Sequence, residues 1–525
     1  MRRCALACVA AAVAAVFPSA AFGAALVPLA PTDSWLSTPL HATSPPGDPR
    51  LFVVERGGAV RIVKDGVLQA APFLTVPNVE TSGERGLLSI AFPPDYADSG
   101  LFYIFTVAAH SDGFGGATGD LRILEYRRSD FDPDLADPGS ARLVLAQSHA
   151  ATNHNGGQLA FGPDGLLYIT MGDGANGANA QATSNDLGKV LRIDPPDPPG
   201  TDSFSVPPSN PFFGVPQARP EIYALGFRNP YRASFAPNGA LVVADVGQST
   251  WEEVDAGDLV GKNLGWPICE GACSPPDARY TDPVFQYPRD TTAACTAIIG
   301  GYVVRDRSLT GLTGRYLYGD LCRADLRTLH LAVASADPAP AGVALPLPGE
   351  SLLGFGEDAR GCVYVLSDKN AYRVAPDAGA SKACPEPPLP AVGSEPGTPG
   401  ATTGTLGPTL ADTTPPGLKL GAAKHRLGRY VEILATCSEA CTLRARGALR
   451  FSRKASHAST TLLGVSRTVR QGTRVRLRLK LRKTLRARAR RVLKRGRTVS
   501  ARVRVSATDA AGNATRKRVR ERLTL

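Results

Sequence analysis

Residues 40–375 repeat one phrase: a short apolar run ending in phenylalanine, a turn rich in Pro, Asp, Asn and Gly, and a second apolar run. It reads IAFPPDYADSGLFYIFTV, LAFGPDGLLYITMGDG, ASFAPNGALVVADVG and LGFGEDARGCVYVLSD, with its phenylalanines at Phe92, Phe161, Phe235 and Phe355. Two such runs across a tight turn make an antiparallel hairpin. The spacings are 69, 74 and 120 residues, and GGYVVRDRSLTGLTGRYLYGDLCRADLRTL fills the long one. With the early hairpin RLFVVERGGAVRIVKDG, residues 25–375 divide into six units of ~58 residues, the size of a four-stranded sheet. Sheets repeated at that period stack radially, because each buries its faces against its neighbours and leaves only short edges. The predicted fold is all-β, a six-bladed β-propeller.

The flanks differ from this repeat. Arg2, Arg3 and the apolar run from Ala5 to Phe17, followed by small residues, predict a secretory signal peptide over residues 1–24 and an exported, cell-envelope or periplasmic protein. No other run is long enough to span a membrane. Residues 376–416 are rich in Pro, Gly and Thr and read as a linker. Residues 417–525 contain strict alternation in RVRLRLKLRK and VSARVRVSATD, which predicts a small basic β-sandwich with one buried face. The intervening TLRARARRVLKRG reads as a short helix, and the ending SATDAAGNATRKRVRERL resembles bacterial immunoglobulin-like modules. The net charge of +12 is divided: residues 416–525 hold 31 Lys and Arg against 4 Asp and Glu, a net of +27, and the rest carries −15. The two regions therefore meet different partners, and the basic one is suited to anionic polymers of the cell envelope. Nucleic acid would satisfy the same electrostatics, but an exported chain seldom meets it and no base-stacking motif is present.

Eight cysteines follow the leader, an even number that in an exported chain favours disulfides. Cys269 with Cys273, Cys437 with Cys441, and Cys362 with Cys384 are the expected pairs. Polar clusters with glycine flank the strand runs at Gly83-Glu84-Arg85-Gly86, Asn153-His154-Asn155-Gly156, Gly172-Asp173-Gly174 and Gly226-Phe227-Arg228-Asn229-Pro230. Loops at strand ends gather at the mouth of a propeller channel. If Leu159–Phe161 and Leu166–Thr170 are the arms of one hairpin, His154 precedes the first arm and Asp173 follows the second. Both then emerge at one rim.

HNGGQLAFGPDGLLYITMGDG, LGKVLRIDP, EIYALGFRNPYRASFAPNGALVVADVGQSTWEEVD and NLGWP occur in this order, and together they resemble the soluble glucose/sorbosone dehydrogenase family over most of residues 30–375. The resemblance implies a six-bladed propeller that oxidises aldoses with pyrroloquinoline quinone (PQQ) and calcium. It assigns His154 as the general base, Asp173 as the carboxylate that orients it, and Arg228 and Asn229 as hydrogen-bond donors to the quinone. Glu84 and Arg323 fall at further cofactor-binding positions. Asp245-Val246-Gly247-Gln248 followed by Glu252 and Glu253 matches the calcium loop, making Gly247, Gln248, Glu252 and Glu253 the implied ligands. The chain departs from the family at the cations that hold the PQQ carboxylates. Cys322 stands at the lysine position with Arg323 beside it, GESLLGFGED offers no arginine pair, Glu84 replaces a glutamine, and no aromatic pair lies around Thr296 to Gly301. An anionic cofactor binds less tightly without those cations.

Two functions follow from these residues. The first is an exported quinoprotein-type aldose dehydrogenase that passes electrons to an unidentified acceptor. The second is a non-catalytic carbohydrate- or protein-binding propeller of the hedgehog-interacting-protein-like kind. NAD chemistry is disfavoured, because no strand–GxGxxG–helix unit occurs.

Overall fold

The computed structural model describes residues 24–29, 36–109, 113–129, 131–195, 203–289, 296–321, 323, 325–332, 338–344, 350–385, 416–422, 427, 430–439, 441–451, 461–469, 474–481, 483–495, 498–508 and 514–524. Residues 1–23 of the proposed signal peptide, most of the linker, Cys295 and Cys322 lie outside them. The chain divides into two compact units, Met1–Val392 and Gly393–Leu525. Among the described residues no helix is long and apolar enough to cross a membrane.

Each repeated phenylalanine packs against the sheet before its own. Phe92 lies 4.8 Å from Phe52, Phe161 5.7 Å from Tyr103 and Phe235 5.0 Å from Tyr168, between ring centroids. Phe52, Tyr103 and Tyr168 all sit on the second strand of the preceding sheet. Phe355 is buried likewise with Ile299 and Leu317. The phrase recurs because every sheet must offer one large apolar side chain to the same place on its neighbour, a contact stabilising by ~1.5–3 kcal/mol each.

Among the described residues the first unit holds four four-stranded antiparallel sheets and one nine-stranded sheet. The first strands of the successive sheets are Pro39–Thr43, Leu87–Ala91, Gly156–Phe161, Pro230–Phe235, Ile298–Val303 and Leu352–Glu357. Each neighbours the next in that order, and Leu352–Glu357 returns to Pro39–Thr43 to close a propeller-like ring. The repeat predicts one four-stranded sheet per unit in a six-bladed propeller. The difference arises at this closure, where Ala42 and Thr43 pair in parallel with Gly356 and Glu357 and fuse the first and last sheets. The strand Ala25–Pro28 pairs with Ala371–Ala375, so the beginning of the ring supplies the outer strand of its last sheet. The disulfide Cys362–Cys384 is present, as are Cys269–Cys273 and Cys437–Cys441.

In the second unit seven antiparallel strands surround one core that includes Leu443, Leu477, Leu479, Val503 and Val505. The predicted helix is Lys483–Lys494, with Leu485 and Ala489 on its buried side.

Candidate active site

The hairpin Gly156–Phe161 and Leu167–Met171 pairs Gly156 with Met171, so the residues just before and just after it lie at one end. His154 and Asp173 occupy those places. His154 Nδ1 is 2.7 Å from Asp173 Oδ1, with both side chains buried. The backbone bends tightly here: His154 takes φ 55°, and Gly156 φ 66°. Gly172 has no room for a side chain, since a Cβ there would meet the His154 carbonyl oxygen at 2.0 Å.

Every group on Asp173 is engaged. Oδ1 also accepts from the Ala175 amide at 2.8 Å, and Oδ2 accepts from Trp266 Nε1 at 2.8 Å. The Asp173 amide donates to the Arg228 carbonyl at 2.8 Å, which ties this loop to the next sheet. His154 is held on its backbone as well: its amide donates to Glu84 Oε2 at 2.9 Å, and its carbonyl lies 3.2 Å from His149 Nε2. With Nδ1–H donated to Asp173, the imidazole keeps the Nε2 lone pair for another partner.

Arg228 and Asn229 precede the inner strand of the following sheet. Both of their amides donate to the Asp245 carboxylate, at 2.8 and 2.6 Å. Burial pushes that carboxyl up to about 7, against the pull of these two amides. Asn229 Oδ1 accepts from the Gly156 amide at 3.0 Å. The Arg228 guanidinium stands 5.6 Å from the centroid of the Trp266 ring, donates Nη1 to the Val246 carbonyl at 2.8 Å, and keeps a buried Nε without a partner. Trp266 thus touches both sides of the site, through its N–H to Asp173 and through its face to Arg228. The unsatisfied Nε and the open imidazole nitrogen fit a ligand with oxygen acceptors, such as the quinone end of PQQ.

The remaining implied cofactor residues are placed differently. Glu84 is exposed on the same rim, with its carboxylate on the His154 amide and 3.5 Å from Asn229 Nδ2. Arg323 lies in the turn after Tyr316–Asp320, whose Asp320 pairs with Ile298 at the start of the inner strand. It therefore belongs to the same rim, on the sheet beyond that of Arg228.

The implied calcium ligands do not converge. Glu252 and Glu253 are adjacent on the strand Trp251–Gly257 and point to opposite faces. Glu252 is fully buried and pairs with Arg289, which also donates to the Gly247 carbonyl at 2.9 Å. A guanidinium thus takes up the oxygens that a cation would use. Burial pushes the Glu252 carboxyl up to about 8, opposed by the Ile298 amide and by Arg289. Glu253 accepts from the Gly271 amide at 2.5 Å on the other face. The Gln248 amide, with those of Ser249, Thr250 and Trp251, wraps around Glu270 Oε1 at 2.6–3.3 Å, so the loop presents N–H groups inward to an anion. Among the described residues, no group of three acidic, Cys or His side chains that includes Glu252 or Glu253 brings its ligand atoms together. These residues do not fit a calcium ion as they stand.

Glu270, Arg289 and Trp266 are not singled out by the sequence, which marks Asp245 only as the opening residue of the calcium-loop match. Asp245 and Trp266 lie inside the motifs ADVG and NLGWP, but their hydrogen bonds join loops from different sheets. No local pattern marks Arg289 or Glu270.

The glucose / sorbosone dehydrogenase family profile matches residues 36–373. The hedgehog-interacting protein of Mus musculus is 30% identical over 357 residues, covering 64% of this chain and 50% of its own length. The aldose sugar dehydrogenase YliI of Escherichia coli is 31% identical over 227 residues, covering 42% of this chain and 57% of its own length. This chain thus spans about half the length of these curated relatives. The PQQ-bound aldose sugar dehydrogenase structure from Streptomyces coelicolor superposes with a TM-score of 0.52 at 25% identity, covering 67% of this chain and 98% of that one. The match spans well over half of the sequence and all of the ring's inner strands, so this chain belongs to the glucose/sorbosone dehydrogenase family.

Proposed function

We propose that the protein is an exported aldose dehydrogenase that oxidises the anomeric carbon, with His154 as the base and PQQ as the hydride acceptor. The observation that carries this reading is the 2.7 Å bond between His154 Nδ1 and Asp173 Oδ1. Asp173 is itself pinned by Trp266 and by the Ala175 amide, so the imidazole is held in one tautomer and one orientation. His154 Nε2 takes the proton of the anomeric hydroxyl, and Asp173 stabilises the imidazolium that forms without accepting the proton. PQQ, when bound, supplies the two-electron sink that receives the anomeric hydride, leaving a lactone. In this reading Arg228 and Asn229 bind the acceptor oxygens, and the guanidinium favours negative charge developing there.

A second reading rests on Glu84. An exposed carboxylate on the rim beside Asn229 opposes an acceptor that carries carboxylates of its own, and a relative named hedgehog-interacting protein matches over a similar stretch. In that reading the same rim binds a carbohydrate or a protein without turnover.

The deciding experiment titrates purified protein with PQQ, followed by absorbance, and then measures dye reduction across a panel of aldoses. The enzyme reading expects saturable binding and sugar-dependent reduction that falls ~10²–10⁴-fold in His154→Ala. Absence of binding at tens of micromolar PQQ sinks it in favour of the binding propeller.

A further inference from the structure

Part of the positive charge of the second unit is arranged in rows on one sheet face. Three neighbouring strands, Cys441–Phe451, Val499–Thr508 and Ala514–Leu523, pair in antiparallel register. Arg446 lies opposite Arg504, and Arg504 opposite Arg518. The adjoining rows set Arg502 against Arg520, Ser500 against Arg522, and Arg444 and Arg516 on either side of Ser506. Opposed residues share a face, and so do alternate residues of one strand, which places all these arginines together. The residues between them, including Leu443, Ala445, Ala501, Val503 and Val505, are buried in the core. The outer face carries arginines whose backbone positions repeat at ~6.8 Å along each strand and ~4.8 Å across them.

This is a costly way to make a soluble surface. Like charges directly opposite one another destabilise a sheet, and mixed signs would keep it soluble without that repulsion. Among the described residues, none of the acidic positions Glu432, Glu439 and Glu521 falls in these rows; Glu521 pairs with Ala501 in the alternate register. Every cation in the rows is arginine, whose planar fork matches the paired oxygens of a phosphate better than an ammonium does. No row contains an aromatic residue, so there is no platform for stacking bases or sugar rings.

We propose that this face binds an extended polymer of polyol phosphates, contacted through successive phosphodiester groups along the strand Ala514–Leu523. That strand ends the sheet's hydrogen-bonded order and carries Arg516, Arg518, Arg520 and Arg522 at alternate positions. Its arginines repeat at the spacing of an extended strand, so a linear chain bearing a charge on each short repeat is met along its whole length.

The test uses the full chain and a synthetic glycerol-phosphate polymer, with affinity measured across a salt series. Arg516, Arg518, Arg520 and Arg522 are changed together to Gln. A charge-matched control changes Arg490, Arg491, Lys494 and Arg495 at the helix end to Gln. The face variant is expected to bind at least ~10-fold more weakly, with the slope of log affinity against log salt reduced by about three, while the control loses less than ~3-fold. Thermal unfolding of both variants checks that the unit remains folded; if the quadruple variant melts early, the pairs R516Q/R518Q and R520Q/R522Q are read instead. Equal loss in face variant and control overturns the proposal in favour of undirected attraction. Tighter binding to polygalacturonate or to duplex DNA than to the polyol phosphate overturns the choice of ligand.

Discussion

His154 and Trp266 show how single side chains decide this site. Asp173→Asn keeps the shape of the pair but lets an amide N–H face the ring, so the imidazole loses its fixed tautomer. Turnover is expected to fall ~10²–10⁴-fold with little change in melting temperature, measured on the PQQ-loaded protein. Trp266→Phe keeps a ring beside Arg228 and removes only the donor to Asp173 Oδ2. Asp173 is then held on one oxygen only, and turnover is expected to fall at least ~10-fold, the scale of one lost hydrogen bond to a charged group, with little change in melting temperature. Deeper in the ring, burial, and then the Arg232 charge, lower His41 from 6.5 to about 3. Its ring faces Gln158 Nε2 at 3.1 Å and Tyr302 Oη at 3.5 Å. The unfolded chain protonates this histidine below pH 6.5 and the folded one does not, so its contribution to stability is present above pH 6.5 and lost as pH falls toward 3. Urea titrations at pH 7 and pH 4 are expected to show a loss in wild type that His41→Gln reduces by a few kcal/mol.

At the scale of the element, the hairpin is the unit that builds the site. Gly172→Ala drives a Cβ onto the His154 carbonyl. The loop must shift, and both stability, by ~1–3 kcal/mol, and turnover are expected to suffer. The strand Trp251–Gly257 carries the contrast between motif and geometry. Its Glu252 and Glu253 match a calcium loop in order, yet alternation sends them to opposite faces and Arg289 takes the cation's place. Removing divalent ions with a chelator is therefore expected to leave the melting temperature unchanged. Arg289→Ala leaves the buried Glu252 carboxyl and the Gly247 carbonyl without this donor and is expected to cost about 1–3 kcal/mol in urea unfolding. The phenylalanine phrase made the hairpins legible, because turn chemistry and alternation are local. The packing of each phenylalanine on the previous sheet was not, because its partner lies in another repeat.

Across the whole molecule, charge and covalent closure separate the two units. Residues 416–525 carry +27 and the rest −15. A chain cut before the basic unit is expected to pass from cation-exchange to anion-exchange retention at neutral pH. The Cys362–Cys384 disulfide joins residues 22 apart and ties the chain after the ring's last strand to the start of the strand Val363–Ser367. Replacing both cysteines with Ala is expected to lower stability by about 3 kcal/mol, the chain-entropy value for a loop of that size.

The sequence by itself determined an all-β chain, the radial repeat, the acidic and basic halves, and the ordered motifs that carry the family. Each of these rests on local alternation, turn residues or composition, which read directly from neighbouring positions. Tertiary structure alone decided the fusion of first and last sheets, the Trp266 link between Asp173 and Arg228, the substitution of Arg289 for a metal, and the arginine rows. These depend on which strand lies beside which and in what register, and a one-residue slip would have sent each of those side chains to the other face.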